Sequence, residues 1–247
     1  MRIIVFGACG RMGQQVIRLA EEGFRGASLH AGVDLGGNQS GFPCYQSPAD
    51  VPEGADCIID FSHHAATKSL LDYAIKAHLP VVLSTTGHTD SEKKLITEAA
   101  KEIPVFFSAN MSMGVALLAE LAKKTAALYP HANIEIVETH HNRKLDAPSG
   151  TALMIAEGIR EILKKATFLC GRGGHGKRAD EEIGIHAIRM GNIVGTHEVL
   201  VGTDAETITL KHEAHDRALF AEGAIAAAEF LCKQPAGLYK MQDMIKF

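Results

Sequence analysis

Residues 3–16 read IIVFGACGRMGQQV, an apolar run that ends in Gly7, Gly10 and Gly13 and passes directly into a segment of helical period. A strand that turns tightly into a helix needs positive φ or close backbone approach, and glycine supplies both. The free N–H groups at such a helix start suit a pyrophosphate. The spacing is GxxGxxG rather than the commoner GxGxxG, and three close glycines also suit a bare turn.

Working outward from this turn, short apolar runs alternate with helix-period segments. Strands are expected over 2–6, 29–33, 57–61, 81–84 and 105–108, and helices near 11–22, 65–78 and 91–102. Each helix is long enough to be a right-handed crossover, so this half reads as an α/β fold, a Rossmann-like doubly wound parallel sheet. After a helix near 115–129 the pattern changes. Strands are expected over 134–140, 185–190, 194–201 and 207–213, with one strong helix at 151–164 among them. Strands joined through MGN at 190–192 and GTDAE at 202–206 should pair antiparallel, giving a smaller α+β domain with a mixed sheet. Periodicity leaves open which half the Ala-rich last helix, 218–232, packs on. The expected division is 1–110 with 215–247 as the dinucleotide-binding domain, and 111–214 as the substrate-binding and oligomerisation domain.

Composition narrows the function classes. Of 247 residues, 46% are hydrophobic and 22% charged, ordinary for a globular protein and wrong for a disordered one. The formal net charge of -4 gives no global field to hold nucleic acid. Charged residues such as Glu120 and Glu229 break the most apolar helices, so no membrane span is expected. The opening MRIIVFGACG enters a strand and turn without the regions of a signal peptide, and a cytoplasmic protein is expected. The five cysteines, at 9, 44, 57, 170 and 232, form no CxxC pair and no metal-ligand spacing, and are expected as reduced thiols. Neither His63–His64 nor His140–His141 carries the company of a metal site, so no metal is expected.

In an open parallel sheet ligands bind beyond the carboxyl ends of the strands. The second strand ends at Asp34, placed to meet the ribose hydroxyls of an adenosine, though Asp before Gly36 and Gly37 also suits a solvated turn. A carboxylate there favours NADH, whereas Arg11 can offset the 2′-phosphate of NADPH, so NADH or NADPH is expected without a choice between them. Ser84, Thr85, Thr86, Asn110 and Ser112 sit at two further strand ends and are expected to line a nicotinamide pocket. Each is equally suited to capping a helix.

The densest chemistry is EIVETHHNRKLDAPSGTALMIAEGI, residues 135–159. A strand ends in two histidines, a loop brings Arg143, Lys144 and Asp146, and Pro148, Ser149 and Gly150 open a helix. The helix start and the lysine together suit a substrate carboxylate or phosphate. If the strand stays regular, His140 and His141 point to opposite faces and serve different roles. One of them is a candidate proton donor, although either can also be a packed bystander.

These residues resemble the 4-hydroxy-tetrahydrodipicolinate reductase (dihydrodipicolinate reductase) family. The pattern is E-x-H-H-x-x-K-x-D-A-P-S-G-T-A over Glu138–Ala152, with GACGRMG at 7–13, IDFSHHAAT at 59–67, STTG at 84–87 and SANMSMGV at 108–115. IGIHAIRMGNIVGTHEV at 183–199 and GLYKMQDM at 237–244 extend it over nearly the whole chain. The resemblance implies NAD(P)H-dependent hydride transfer giving tetrahydrodipicolinate, in lysine biosynthesis by the diaminopimelate route. It implies that His140 is the general acid and that Lys144 is a catalytic, substrate-orienting cation. His141, Gly150 and Thr151, with Ser149 at the same helix start, would hold the small dicarboxylate substrate. Gly7, Ala8, Cys9, Gly10, Arg11, Met12, Asp34, Ser84, Thr85, Thr86, Ser108, Ala109, Asn110 and Met111 would contact the cofactor. It further implies a homotetramer built through the second domain's sheet. Three positions depart from the family: Leu35 stands where some members carry Arg, His64 replaces a common Pro, and Ser84 replaces the usual Gly. Two rival readings are another NAD(P)-dependent amino-acid or semialdehyde dehydrogenase, and a noncatalytic nucleotide-binding regulator.

Overall fold

The computed structural model describes residues 1–37 and 41–245. In chain order its first elements are β1 (Arg2–Phe6), α1 (Arg11–Glu21), β2 (Ser28–Val33), β3 (Cys44–Tyr45), β4 (Cys57–Asp60), α2 (Thr67–Ala77), β5 (Val81–Leu83), α3 (Asp90–Ala99) and β6 (Pro104–Phe107). Then come α4 (Met113–Leu128), β7 (Asn133–His140), α5 (Gly150–Ile162), β8 (Thr167–Cys170), β9 (Glu182–Arg189), β10 (Gly195–Gly202), β11 (Thr207–Ala214), α6 (Ala218–Leu231) and β12 (Gly237–Tyr239). The chain divides into two compact units, Met1–Ser112 with Ala218–Phe247, and Met113–Arg217.

The first unit holds a seven-stranded sheet in the order β12-β6-β5-β4-β1-β2-β3, and every pairing in it is parallel. Its central strands read as continuous apolar runs because both faces are covered, and β4 and β5 are buried at every position. The strand order reverses at β1, which pairs with β2 on one side and β4 on the other. That reversal opens a crevice at the carboxyl ends, the usual ligand position in such sheets. Helix α3 starts on a capping box in which Thr89 and Glu92 satisfy each other's end of the first turn. The last helix, α6, belongs to this unit, against α1 and β4–β6. Its run of alanines is buried almost all round, which lets it lie close to its neighbours.

The second unit holds a five-stranded mixed sheet in the order β11-β10-β7-β9-β8. Along β7 every second residue is buried, from Ile134 and Ile136 to Glu138 and His140. Those isoleucines pack with Ile155 and Ile159 of α5 in one core, each fully buried aliphatic side chain being worth about 1.5–3 kcal/mol.

The structure corrects one expected pairing. GTDAE does join an antiparallel pair, β10 and β11, but the strands flanking MGN do not pair with each other. Strand β7 lies between them, parallel to β9 and antiparallel to β10. The reason is local. Residues 190–193 cross over the end of β7, where Met190 N–H donates to His140 O, Asn142 N–H to Gly191 O and His141 N–H to Ile193 O. The chain therefore emerges on the far edge of β7. The short strands β3, β8 and β12 were not expected from the sequence.

Candidate active site

In the first unit the glycine turn is tied to its acidic partner. Gly7 has φ +72, and a Cβ there would lie 2.6 Å from Phe61 O; at Gly13 a Cβ would run into Gly7 O. Both positions need glycine for the turn to close against the neighbouring backbone. Asp34 follows β2, where its Oδ2 accepts from Cys9 N–H and its Oδ1 from Gly36 N–H, each at 3.0 Å. It thus braces the glycine turn, a role not read from the sequence. Gly10, the N-cap of α1, has no side chain to accept from the first-turn N–H groups. Arg11 beside them is exposed.

A pocket of about 280 Å³ opens beside this turn, lined by Met12, Phe61, Ser62, Ser84, Thr85, Thr86, Ala109, Met111 and Phe220. Six of these were expected at the cofactor; Phe61, Ser62 and Phe220 were missed. Helix capping does not explain Ser84–Thr86, since Thr89 caps the helix that follows. The buried Ser84 hydroxyl has no protein partner, which suits a polar ligand group at that strand end. Next to it, Asp60 is 1% exposed; burial raises its pKa, against hydrogen bonds from Ser62 N–H at 3.0 Å and Ser62 Oγ at 2.5 Å. Ser108 and Asn110 shape the turn beside the pocket: Ser108 Oγ donates to Asn110 O, and Asn110 Oδ1 accepts from Ser112 N–H. The glycine cradle, the free helix start and the orphaned hydroxyl fit a dinucleotide.

In the second unit the histidine–lysine cluster is built on the end of β7. His140 is its last residue and is buried; His141 already begins the turn, so regular alternation stops between them. Glu138, 0% exposed, shares His140's face of the strand. Its Oε2 meets His140 Nδ1 at 2.5 Å, while Arg189 grips both oxygens at 2.8 and 2.7 Å. Ser149 N–H donates to Glu138 Oε1 at 3.0 Å, joining the start of α5 to the same carboxylate. Burial alone would raise the Glu138 pKa; the bonds from Arg189, His140 and Ser149 outweigh it and hold the group down.

Ser149 caps α5 by accepting from Ala152 N–H, and its Oγ lies 3.2 Å from His197 Nε2. The His197 ring stands edge-on to His140 at 5.2 Å, and burial, with His140 close by, pushes its pKa down to about 4. His197 is therefore neutral near neutral pH. Lys144 Nζ pairs with Asp146 Oδ1 at 2.9 Å, which lowers the Asp146 pKa. The His141 pKa is lowered by burial first and then by Arg143, Arg217, His140 and Lys144, and its Nδ1 is shut from solvent without a partner. This is a cationic surround with an unused hydrogen-bonding group, as an anionic ligand requires. Gly150 and Thr151 follow at the helix start, and a Cβ at Gly150 would meet nothing within 4 Å.

The structure thus gathers His140, His141, Lys144, Ser149, Gly150 and Thr151 around one strand end and one helix start. It adds Glu138, Arg189 and His197, which sequence reading missed. Glu138 carried a readable signal, two residues before His140 on a strand. Arg189 and His197 did not: they arrive by register, Arg189 opposite His140 on β9 and His197 opposite Glu138 on β10. Among the described residues no cluster of His, Cys, Asp and Glu suits a metal ion.

A doubly wound parallel sheet with a glycine turn and a carboxylate at its switch point, together with a histidine–lysine cluster in a second unit, is the build of an NAD(P)H-dependent oxidoreductase. Comparison with known proteins makes it particular. Residues 1–111 match the model for the dihydrodipicolinate reductase N-terminus and residues 114–245 that for its C-terminus. The chain belongs to the dihydrodipicolinate reductase family. The 4-hydroxy-tetrahydrodipicolinate reductase of Caldanaerobacter subterraneus subsp. tengcongensis is 46% identical over 100% of this chain and 98% of the relative. That of Clostridium novyi is 44% identical over 99% and 98%. The fold is also that of a dipicolinate-bound dihydrodipicolinate reductase from Paenisporosarcina sp. TG-14, with a TM-score of 0.80 at 22% identity over 99% of each chain.

Proposed function

We propose that this chain reduces 4-hydroxy-tetrahydrodipicolinate, a small cyclic dicarboxylate, to tetrahydrodipicolinate, the 4-hydroxyl leaving as water and one hydride and one proton being taken up, the reaction for which its relatives are named. The observation that carries this reading is the Glu138–His140 pair standing beside Lys144 and the capped start of α5. A bound NADH or NADPH would supply the hydride, and Gly7–Met12, Asp34, Ser84–Thr86 and Ser108–Met111 would hold it. Negative charge gathering on the substrate ring calls for a proton. His140 gives that proton from Nε2, because its Nδ1 is engaged by Glu138. Lys144 exchanges Asp146 for a substrate carboxylate, and the N–H groups at Gly150 and Thr151, with Ser149 and His141, hold and orient the dianion.

The first unit serves as the dinucleotide-binding domain and the second as the substrate-binding and oligomerisation domain. A homotetramer through the five-stranded sheet accords with its edge strand β11, on which no residue is fully buried. Work in the cytoplasm accords with five free cysteines. The test is oxidation of NADH and of NADPH by the purified chain, with substrate made fresh from pyruvate and aspartate semialdehyde by a separate synthase. Turnover that depends on the synthase is expected. His140→Gln should lower turnover about 100-fold or more while cofactor binding is retained; unchanged turnover removes His140 as the acid.

A further inference from the structure

We infer that Glu138, clamped by Arg189, is the positioning residue that aims His140, and that Gly195 keeps the working nitrogen of that ring clear. The inference rests on the reading of His140 as proton donor. A neutral imidazole has one N–H and one lone pair, and the partner of one nitrogen decides what the other presents. An ionised carboxylate can only accept. Glu138 Oε2, 2.5 Å from His140 Nδ1, therefore keeps the proton on Nδ1 in the neutral ring. Nε2 is left as the site that takes up a proton and delivers it.

The carboxylate is fixed in place. It is 0% exposed and receives four hydrogen bonds: two from Arg189, one from His140 and one from Ser149 N–H. Because Ser149 caps α5, one side chain sets both the aim of the acid and the start of the helix that meets the substrate carboxylate. On the other side of the ring, a Cβ at Gly195 would lie 3.0 Å from His140 Nε2 and 3.4 Å from its Cδ2. Any larger residue at the start of β10 would press on that nitrogen and push the ring aside by a few tenths of an ångström. His197, edge-on to His140 at 5.2 Å, closes the remaining flank without competing for the proton.

Glu138→Gln tests this directly. Its carbonyl oxygen can still accept from Ser149 N–H, so the helix start is retained. Its amide would set N–H against Arg189 Nη1 and His140 Nδ1–H, two donors, and so reverses the preference of the ring. In the synthase-coupled assay kcat is expected to fall at least ~10-fold, while the substrate KM and NADH affinity stay within about twofold. Gly195→Ala should show the same split. NMR of isotope-labelled imidazole nitrogens, with the His140 signals assigned by their loss in His140→Gln, should find the neutral native ring protonated on Nδ1.

A native ring protonated on Nε2 overturns the inference whether or not Glu138→Gln folds. So does a variant whose kcat is unchanged, or whose KM and NADH affinity deteriorate as far as kcat, the mark of a merely structural role. If His140→Gln itself leaves turnover intact, the acid assignment fails. If His140→Gln is inactive but Glu138→Gln is not, only the positioning role fails.

Discussion

Lowering the pH should take stability from the second unit through His197. The ring is 4% exposed, and burial holds its pKa to about 4 against an ordinary 6.5. The unfolded chain takes up a proton near pH 6.5, and the folded chain not until about pH 4. Between these values the unfolded state binds more protons, so stability rises with pH. The contribution is complete above pH 6.5 and is lost as the pH falls toward 4. At ~1.36 kcal/mol per pH unit the whole window is worth about 3 kcal/mol, of which roughly 2.5 is gone at about pH 4.5. His197→Gln keeps a polar nitrogen near Ser149 Oγ but does not titrate. The chain has no Trp, so urea unfolding followed by circular dichroism at about pH 7.5 and about pH 4.5 is the suitable assay. His88, His141 and His212, also depressed by burial, are common to both proteins and cancel in the comparison. The native protein should lose about 2 kcal/mol more than the variant on acidification. Equal losses would refute the reasoning, as would a His197 ring that titrates near 6.5 by NMR.

Asp34→Ala removes the acceptor of the Cys9 and Gly36 N–H groups and the carboxylate proposed to meet the ribose, and should weaken NADH about 10-fold and NADPH less; paired fluorescence titrations decide. Gly7→Ala places a methyl group against Phe61 O in a left-handed backbone, and should cost at least ~2 kcal/mol in a denaturant titration together with cofactor affinity. Ile136→Ala, at 0% exposure in the second unit's core, should cost about 2–5 kcal/mol of stability while the cofactor affinity of the first unit is unchanged.

The parallel half was readable because its strands are unbroken apolar runs and its turns are written in glycine. The site was readable where chemistry is local in sequence: Gly7–Gly13, and His140 to Thr151. What escaped was set by neighbours across the sheet. Nothing in residues 182–202 says that β7 separates β9 from β10; that follows from bonds made by residues 190–193 over the end of β7. Arg189 and His197 were lost for the same reason, since register alone carries them to Glu138 and His140. Asp34 was seen as a ligand group, but its bond to Cys9 N–H depends on how closely β2 brings it to the turn. Strands as short as β3 and β12 carry too little pattern to be distinguished from loops.

The first unit is interrupted in sequence: α6 and β12 join it only after the whole of 113–217 has intervened. During synthesis, β6 leaves the ribosome long before β12, its parallel neighbour on the outer edge of the sheet. The second unit, by contrast, is continuous in the chain and has its complete complement of strands once β11 has been made. Order of manufacture therefore favours the second unit over the first. A chain truncated shortly after residue 217 and released from the ribosome should protect β7–β11 from protease while β4–β6 still lack α6.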